Sequence, residues 1–136
     1  LCRALLPLMR RPGGRIVNVS SIYGLIGFPG SLAYGVSKAG IAQLTRQLAV
    51  DLAPEGILVN AVAPGVIETE MTRRRITGDR WYQRIQIEAT PVGRIGRPQD
   101  IAGVIAFLCS DDAAFIAGQV LPVDGGWLAT RYLPPD

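Results

Sequence analysis

Three short runs of apolar and β-branched residues punctuate the chain: "RIVNVS" from Arg15 to Ser20, "ILVNAVAPG" from Ile57 to Gly65, and "QVLPVDGG" from Gln119 to Gly126. Each is short and bounded by glycine or proline, so each is predicted to be a buried strand. Between the first two the period lengthens. No proline interrupts Ala33 to Ala53, and Ile41, Leu44, Leu48 and Leu52 recur at three- and four-residue steps. This predicts a helix of about five turns, ended by Pro54 and Gly56. Pro98 suits the first turn of a second helix, with Gln99 and Asp100 behind it and Ile101, Val104, Ile105 and Leu108 as its apolar stripe. Leu1, Leu5 and Leu8 also sit at helical spacing. Residues 66–97 show no sustained period, and are predicted to cover a site irregularly or to hold short helices. The residues from Leu128 onward read as a tail.

Strand, helix, strand, helix, strand, with continuously apolar strands, predicts an α/β fold: a parallel sheet covered on both faces. A doubly wound sheet normally has roughly twice the three strands seen here. The chain also starts within a helical pattern, without an initiator methionine. The expected architecture is therefore the C-terminal half of a doubly wound Rossmann-type sheet. Residues 1–136 would form a single partial domain, with the N-terminal nucleotide-binding half lying outside this sequence.

Composition narrows the function. A net charge of +3 is too small to argue for nucleic acid. The one basic run, Arg73, Arg74 and Arg75, reads as a solvated loop in preference to an anion site. No apolar run approaches the roughly eighteen residues of a membrane span. Cys2 and Cys109 lie far apart, in no metal-ligand spacing, and read as free thiols in a cytoplasmic protein. There is no histidine, which removes Ser-His-Asp and Cys-His catalysis and most zinc sites. Acid–base chemistry near neutral pH is left to a carboxylate, a tyrosine, a lysine or a cysteine.

The basic residues number fourteen, and Lys38 is the single lysine among them. It lies four residues after Tyr34, in "YGVSKAG", at the start of the first long helix, so the two side chains share one helix face. An ammonium about 5 Å from a phenol, at an effective dielectric near 20, favours the phenolate by roughly 3 kcal/mol, or about two pKa units. The pair alone is weak, since a Tyr-x-x-x-Lys match arises by chance in about one chain in five of this length. Its surroundings add weight. Arginine does not replace this lysine although it replaces every other, and a compact ammonium serves several oxygens at once where a planar guanidinium cannot. Ser20 and Ser21 follow the first strand, where ligands bind in open α/β sheets, although either is equally a turn or cap serine. "PGVIET", Pro64 to Thr69, follows the second strand and offers a rigid turn with free backbone groups and a hydroxyl.

Ser21, Tyr34 thirteen positions later and Lys38 four further on resemble the catalytic set of the short-chain dehydrogenases/reductases. So do the flanking stretches "GRIVNVSS", "VNAVAPGVIETEM" and "GRIGRPQDIAGVIAFLCSDDAAFIAGQVLPVDGG", and the resemblance spans roughly residues 1–127. It is similar in particular to 3-oxoacyl-acyl-carrier-protein reductases and to glucose and sugar-alcohol dehydrogenases. The resemblance implies reversible carbonyl–alcohol interconversion with NAD or NADP. Tyr34 would be the general acid–base, Lys38 would lower its pKa and hold the nicotinamide ribose, and Ser21 would orient the substrate. Tyr34 and Lys38, with Pro64, Gly65, Ile67 and Thr69, would bind the cofactor, with the backbone of Ile67 at the carboxamide. It implies no metal, a small-molecule substrate and a homotetramer or homodimer.

Three departures stand out. The glycine-rich pyrophosphate loop of the family is absent, since "GLIGFPG" from Gly24 to Gly30 has the wrong glycine spacing and precedes the tyrosine. The residue that selects NAD or NADP is absent too. The family's catalytic asparagine, on the preceding helix, would lie before residue 1. The alternative expectation is a truncated, non-catalytic fragment serving as an oligomerisation or interaction module. The substrate would be set by residues 66–97 and the loop around Phe28, with Trp81 and Tyr82 as an apolar wall or as core.

Overall fold

The computed structural model describes residues 2–130. The order of elements is α1 (Cys2–Leu5), β1 (Arg15–Val19), α2 (Leu32–Leu52), β2 (Leu58–Pro64), α3 (Glu70–Gly78), α4 (Arg80–Tyr82), α5 (Pro98–Cys109) and β3 (Val120–Val123). The three strands form one parallel sheet in the order β1-β2-β3, with Val19 opposite Val62 and Val62 opposite Leu121.

Alternation along the strands builds two cores. Ile16 and Val59 join Ala49, Leu52 and Ile57 under α2, while Val17 and Val62 join Ile101, Leu108 and Ala113 under α5. The sheet is thus covered on both faces, as the strand composition predicts. Polar side chains within these layers are paired. Asn18 donates to the Thr45 hydroxyl at 2.9 Å, tying β1 to α2. Asn60 donates to the Ile116 carbonyl at 2.7 Å and accepts from the Gln119 amide at 3.0 Å, fixing the approach to β3.

Four expectations change. The core face of α2 is not the leucine stripe alone: Ala42, Thr45, Ala49 and Leu52 are buried, and Leu44 faces outward. Small residues let this helix sit close to the sheet. Of the three N-terminal leucines, Leu1 lies outside the described residues, and Leu5 and Leu8 are exposed, while Leu6 and Met9 pack on the core. Only β2 is buried along its length; β1 and β3 are the sheet's edges and leave Val19 and Leu121 exposed. The end of the chain is not all tail. A 3-10 turn at Trp127–Ala129 is anchored by the Trp127 indole, which donates to the Ile85 carbonyl at 2.8 Å. The remainder of the expected tail, residues 131–136, lies outside the described residues. No helix among the described residues is long and apolar enough to cross a membrane.

Residues 66–97, read as irregular or as short helices, contain α3, α4 and a π-helical stretch at Gln83–Glu88. In that stretch the Ala89 amide reaches back to the Arg84 carbonyl at 3.2 Å, an i to i+5 bond. The wider turn breaks the 3.6-residue period on which helix recognition rests.

Candidate active site

The site lies beyond the carboxyl ends of β1 and β2. Ser20 and Ser21, equivalent by position in the sequence, have separate tasks. The Ser20 hydroxyl donates to the Lys38 carbonyl at 2.7 Å and ties the end of β1 to α2. Ser21 accepts the Tyr23 amide at 3.2 Å, capping a 3-10 turn at Ile22–Gly24, and keeps its own proton free to donate. This turn rests directly on α2. A Cβ on Gly24 would stand 2.6 Å from the Lys38 carbonyl carbon, so only glycine permits the approach.

Tyr34 occupies the first turn of α2, 47% exposed, and Lys38 follows one turn later. The Lys38 ammonium lies 5.6 Å from the centre of the Tyr34 ring and donates to the Val19 carbonyl at 3.1 Å. The bond to Val19 fixes the lysine across the end of β1.

At the end of β2, the Gly65 amide donates to the Val123 carbonyl at 3.1 Å. A Cβ on Gly65 would come within 2.9 Å of Asp124, so the glycine keeps the ends of β2 and β3 together. Ile67 forms an isolated parallel bridge with Gly96 whose bonds are made by Val66 and Glu68 on either side. The Ile67 amide is therefore turned away from that pairing, while its carbonyl accepts the Thr72 hydroxyl at 2.6 Å. Thr69 begins α3, its amide donating to Thr72 Oγ1 at 2.9 Å.

Ser21, Tyr34, Lys38, Pro64, Gly65, Ile67 and Thr69 all line one cavity of about 400 Å³, with Pro98, Ile101 and Ile105 of α5 also in its wall. A second cavity of about 400 Å³ shares Ser21, Tyr34, Gly65, Met71 and Thr72 and continues along Tyr23, Arg75, Tyr82 and Gln86. Ser21 and Tyr34 thus stand where the two meet. A larger hollow of about 660 Å³, on the outer side of the Tyr23–Ser31 loop, contains none of the seven.

No sequence signal marks Tyr23 or Gln86, and Arg75, expected in a solvated loop, lies in α3 and lines the second cavity. Tyr82 is buried in the second cavity's wall, whereas Trp81 is exposed, 5.9 Å from the Phe28 ring. Phe28 stacks on Tyr23 with ring centres 4.3 Å apart. Burial, with Tyr82 adding to it, pushes the Tyr23 phenol well above its ordinary value; burial also raises Tyr82. The guanidinium of Arg75 lies 5.9 Å from the Tyr82 ring. No spacing rule marks these residues, because four separate elements converge on the cavity.

The arrangement offers one chamber with the Lys38 ammonium, a hydroxyl and turn backbone, and one with phenols, an amide and the Arg75 guanidinium. They meet at a hydroxyl donor and a phenol, a geometry suited to moving a proton to or from an oxygen of a molecule spanning both.

Known proteins carry the same arrangement of chain. The 3-oxoacyl-acyl-carrier-protein reductase of Aquifex aeolicus is 44% identical over 123 residues, 90% of this chain and 48% of that protein. A cyclopentanol dehydrogenase of Comamonas is 45% identical over 123 residues, 90% of this chain and 49% of its own length. A crystal structure from Agrobacterium tumefaciens, described as a candidate 2-deoxy-d-gluconate 3-dehydrogenase with NADP bound, is 40% identical with a TM-score of 0.85. The match covers 95% of this chain and 51% of that one. The chain therefore spans about half the length of the relatives it matches. The family model described as enoyl-(acyl carrier protein) reductase matches residues 1–128. With strand order, spacing and relatives in agreement over nearly all of its length, the chain belongs to the short-chain dehydrogenase/reductase family.

Proposed function

We propose that this chain is the catalytic half of an NAD- or NADP-dependent oxidoreductase that interconverts a carbonyl and a secondary alcohol. The observation that carries the reading is the meeting of the two cavities at Ser21 and Tyr34, with Lys38 one helical turn away.

The first cavity fits the nicotinamide end of such a cofactor. Lys38 offers a compact cation for ribose hydroxyls, the Ile67 amide and the Thr69 hydroxyl suit a carboxamide, and Pro64, Gly65 and Ile105 present a flat flank to a ring. When bound, the cofactor supplies the carbon that gives or takes a hydride. The NADP held by the Agrobacterium neighbour supports this assignment. The pyrophosphate site and the choice between NAD and NADP belong to an N-terminal half that we place ahead of residues 1–136, which are then a partial domain.

The chain's own contribution is placement and proton transfer. In reduction, Ser21 donates a hydrogen bond to the substrate carbonyl oxygen, and the Tyr34 phenol gives its proton to that oxygen. In oxidation, Tyr34 accepts the proton of the alcohol. Lys38 places positive charge beside the phenol and holds the ribose, coupling cofactor position to the proton donor. The reading extends to a small-molecule substrate, a cytoplasmic setting and a homodimer or homotetramer, with the outward apolar side chains of α2 at its interface.

The test uses the full-length protein, a panel of ketones and alcohols, and absorbance of the reduced nicotinamide. Tyr34→Phe is expected to abolish turnover with cofactor affinity largely kept. Undiminished turnover in that variant would sink the assignment. A full-length protein that binds neither cofactor would instead support the non-catalytic module.

A further inference from the structure

Gln86 is 1% exposed, yet neither its Nε2 nor its Oε1 has a hydrogen-bond partner. Buried amides are almost always paired, because burial strips them of water. Two polar groups of the same stretch are paired elsewhere: the Thr90 hydroxyl donates to the Gln86 main-chain carbonyl at 2.7 Å, and the Gln83 amide donates to the Ile76 carbonyl at 2.7 Å. The unpaired amide sits in the π-helical stretch Gln83–Glu88, a conformation that recurs at functional sites, and Gln86 lines the cavity that Ser21 and Tyr34 also line.

We infer that Gln86 is a specificity-determining residue, and that the substrate carries a second hydroxyl group that hydrogen-bonds its amide while the reacting carbon lies at Tyr34. The chemistry of the orphaned pair selects the group. A hydroxyl donates to Oε1 and accepts from Nε2, satisfying both. A carboxylate only accepts and leaves Oε1 without a donor, even with Arg75 in the same wall, and an alkyl chain satisfies neither. The substrate class is thus a vicinal or nearby diol and its hydroxy ketone, in place of a plain alkyl ketone. This inference rests on the carbonyl–alcohol reading above.

The test compares matched alcohols on the full-length protein with NAD and NADP: cyclopentanol against the vicinal cyclopentanediol, cyclohexanol against the vicinal cyclohexanediol, and 2-butanol against 2,3-butanediol. At least one diol is expected to exceed its mono-alcohol in kcat/KM by about tenfold or more, since a site built around a hydroxyl penalises its absence. Gln86→Leu should bring that ratio to within about twofold of unity. Gln86→Met, closer in length, should do the same. Both variants should raise the Tm of the free protein, because they remove an unpaired buried amide. A ratio near unity in the parent, a ratio unmoved by both variants, or a Tm that falls in both would each overturn the inference. Those outcomes leave the oxidoreductase reading standing. No turnover of any ketone or alcohol would overturn both.

Discussion

Lys38 is held at its ammonium. The bond to the Val19 carbonyl at 3.1 Å and the position 5.6 Å from the Tyr34 ring centre suit a small, tetrahedral donor. A guanidinium keeps the charge but is planar and bulkier. Lys38→Arg is therefore expected to lower kcat of the full-length protein by at least about tenfold with the fold intact, read by steady-state kinetics beside a thermal melt. An effect below that would show that charge alone suffices. At this scale the sequence was informative where geometry is local. Four residues along a helix put Tyr34 and Lys38 on one face whatever surrounds them. Ser21 was harder to assign, because a cap serine and a site serine look alike in one dimension. The structure shows Ser21 capping a turn and lining both cavities, with Ser20 spent on the Lys38 carbonyl.

The elements depend on one another at a few close approaches. The 3-10 turn after β1 rests on α2 through Gly24, where an added Cβ would meet the Lys38 backbone at 2.6 Å. Gly24→Ala must push the turn from the helix and displace Ser21 relative to Tyr34. A loss of about 1–3 kcal/mol of stability is expected by denaturant unfolding, within the range for overpacking. The same variant should lose kcat more than it raises cofactor KM, since it disturbs the substrate side. Unchanged stability would show that the turn relaxes freely. The strands were legible as short continuous apolar runs and α2 and α5 by their 3.6-residue period, with ends that carry proline or glycine. The segment from Val66 to Arg97 was not, because α3 is mostly polar, α4 is brief, and the π-helical stretch shifts the phase of every later residue. Gln86 was hidden for the same reason.

On the scale of the whole molecule, α2 presents Leu32, Val36, Leu44 and Val50 to the outside, with Leu32 83% exposed. Apolar side chains lined along one helix are covered in most soluble assemblies. Light scattering on the full-length protein should give a dimer or tetramer, and Leu44→Arg should reduce that mass. A monomeric parent would assign this face to the protein's own remaining segments. The sequence by itself determined the parallel α/β class, the order of strands and helices, the Tyr34–Lys38 pair and the family, because apolar runs, helix period and one-turn spacing are local properties of the chain. The tertiary structure decided which serine stands free to donate, which residues of α2 face the sheet, and how two cavities meet at Ser21 and Tyr34. It also brought Tyr23, Arg75, Tyr82 and Gln86 together in one wall. Those facts arise from packing between segments distant in sequence, where side-chain volume and unpaired polar groups set the outcome and no spacing rule applies.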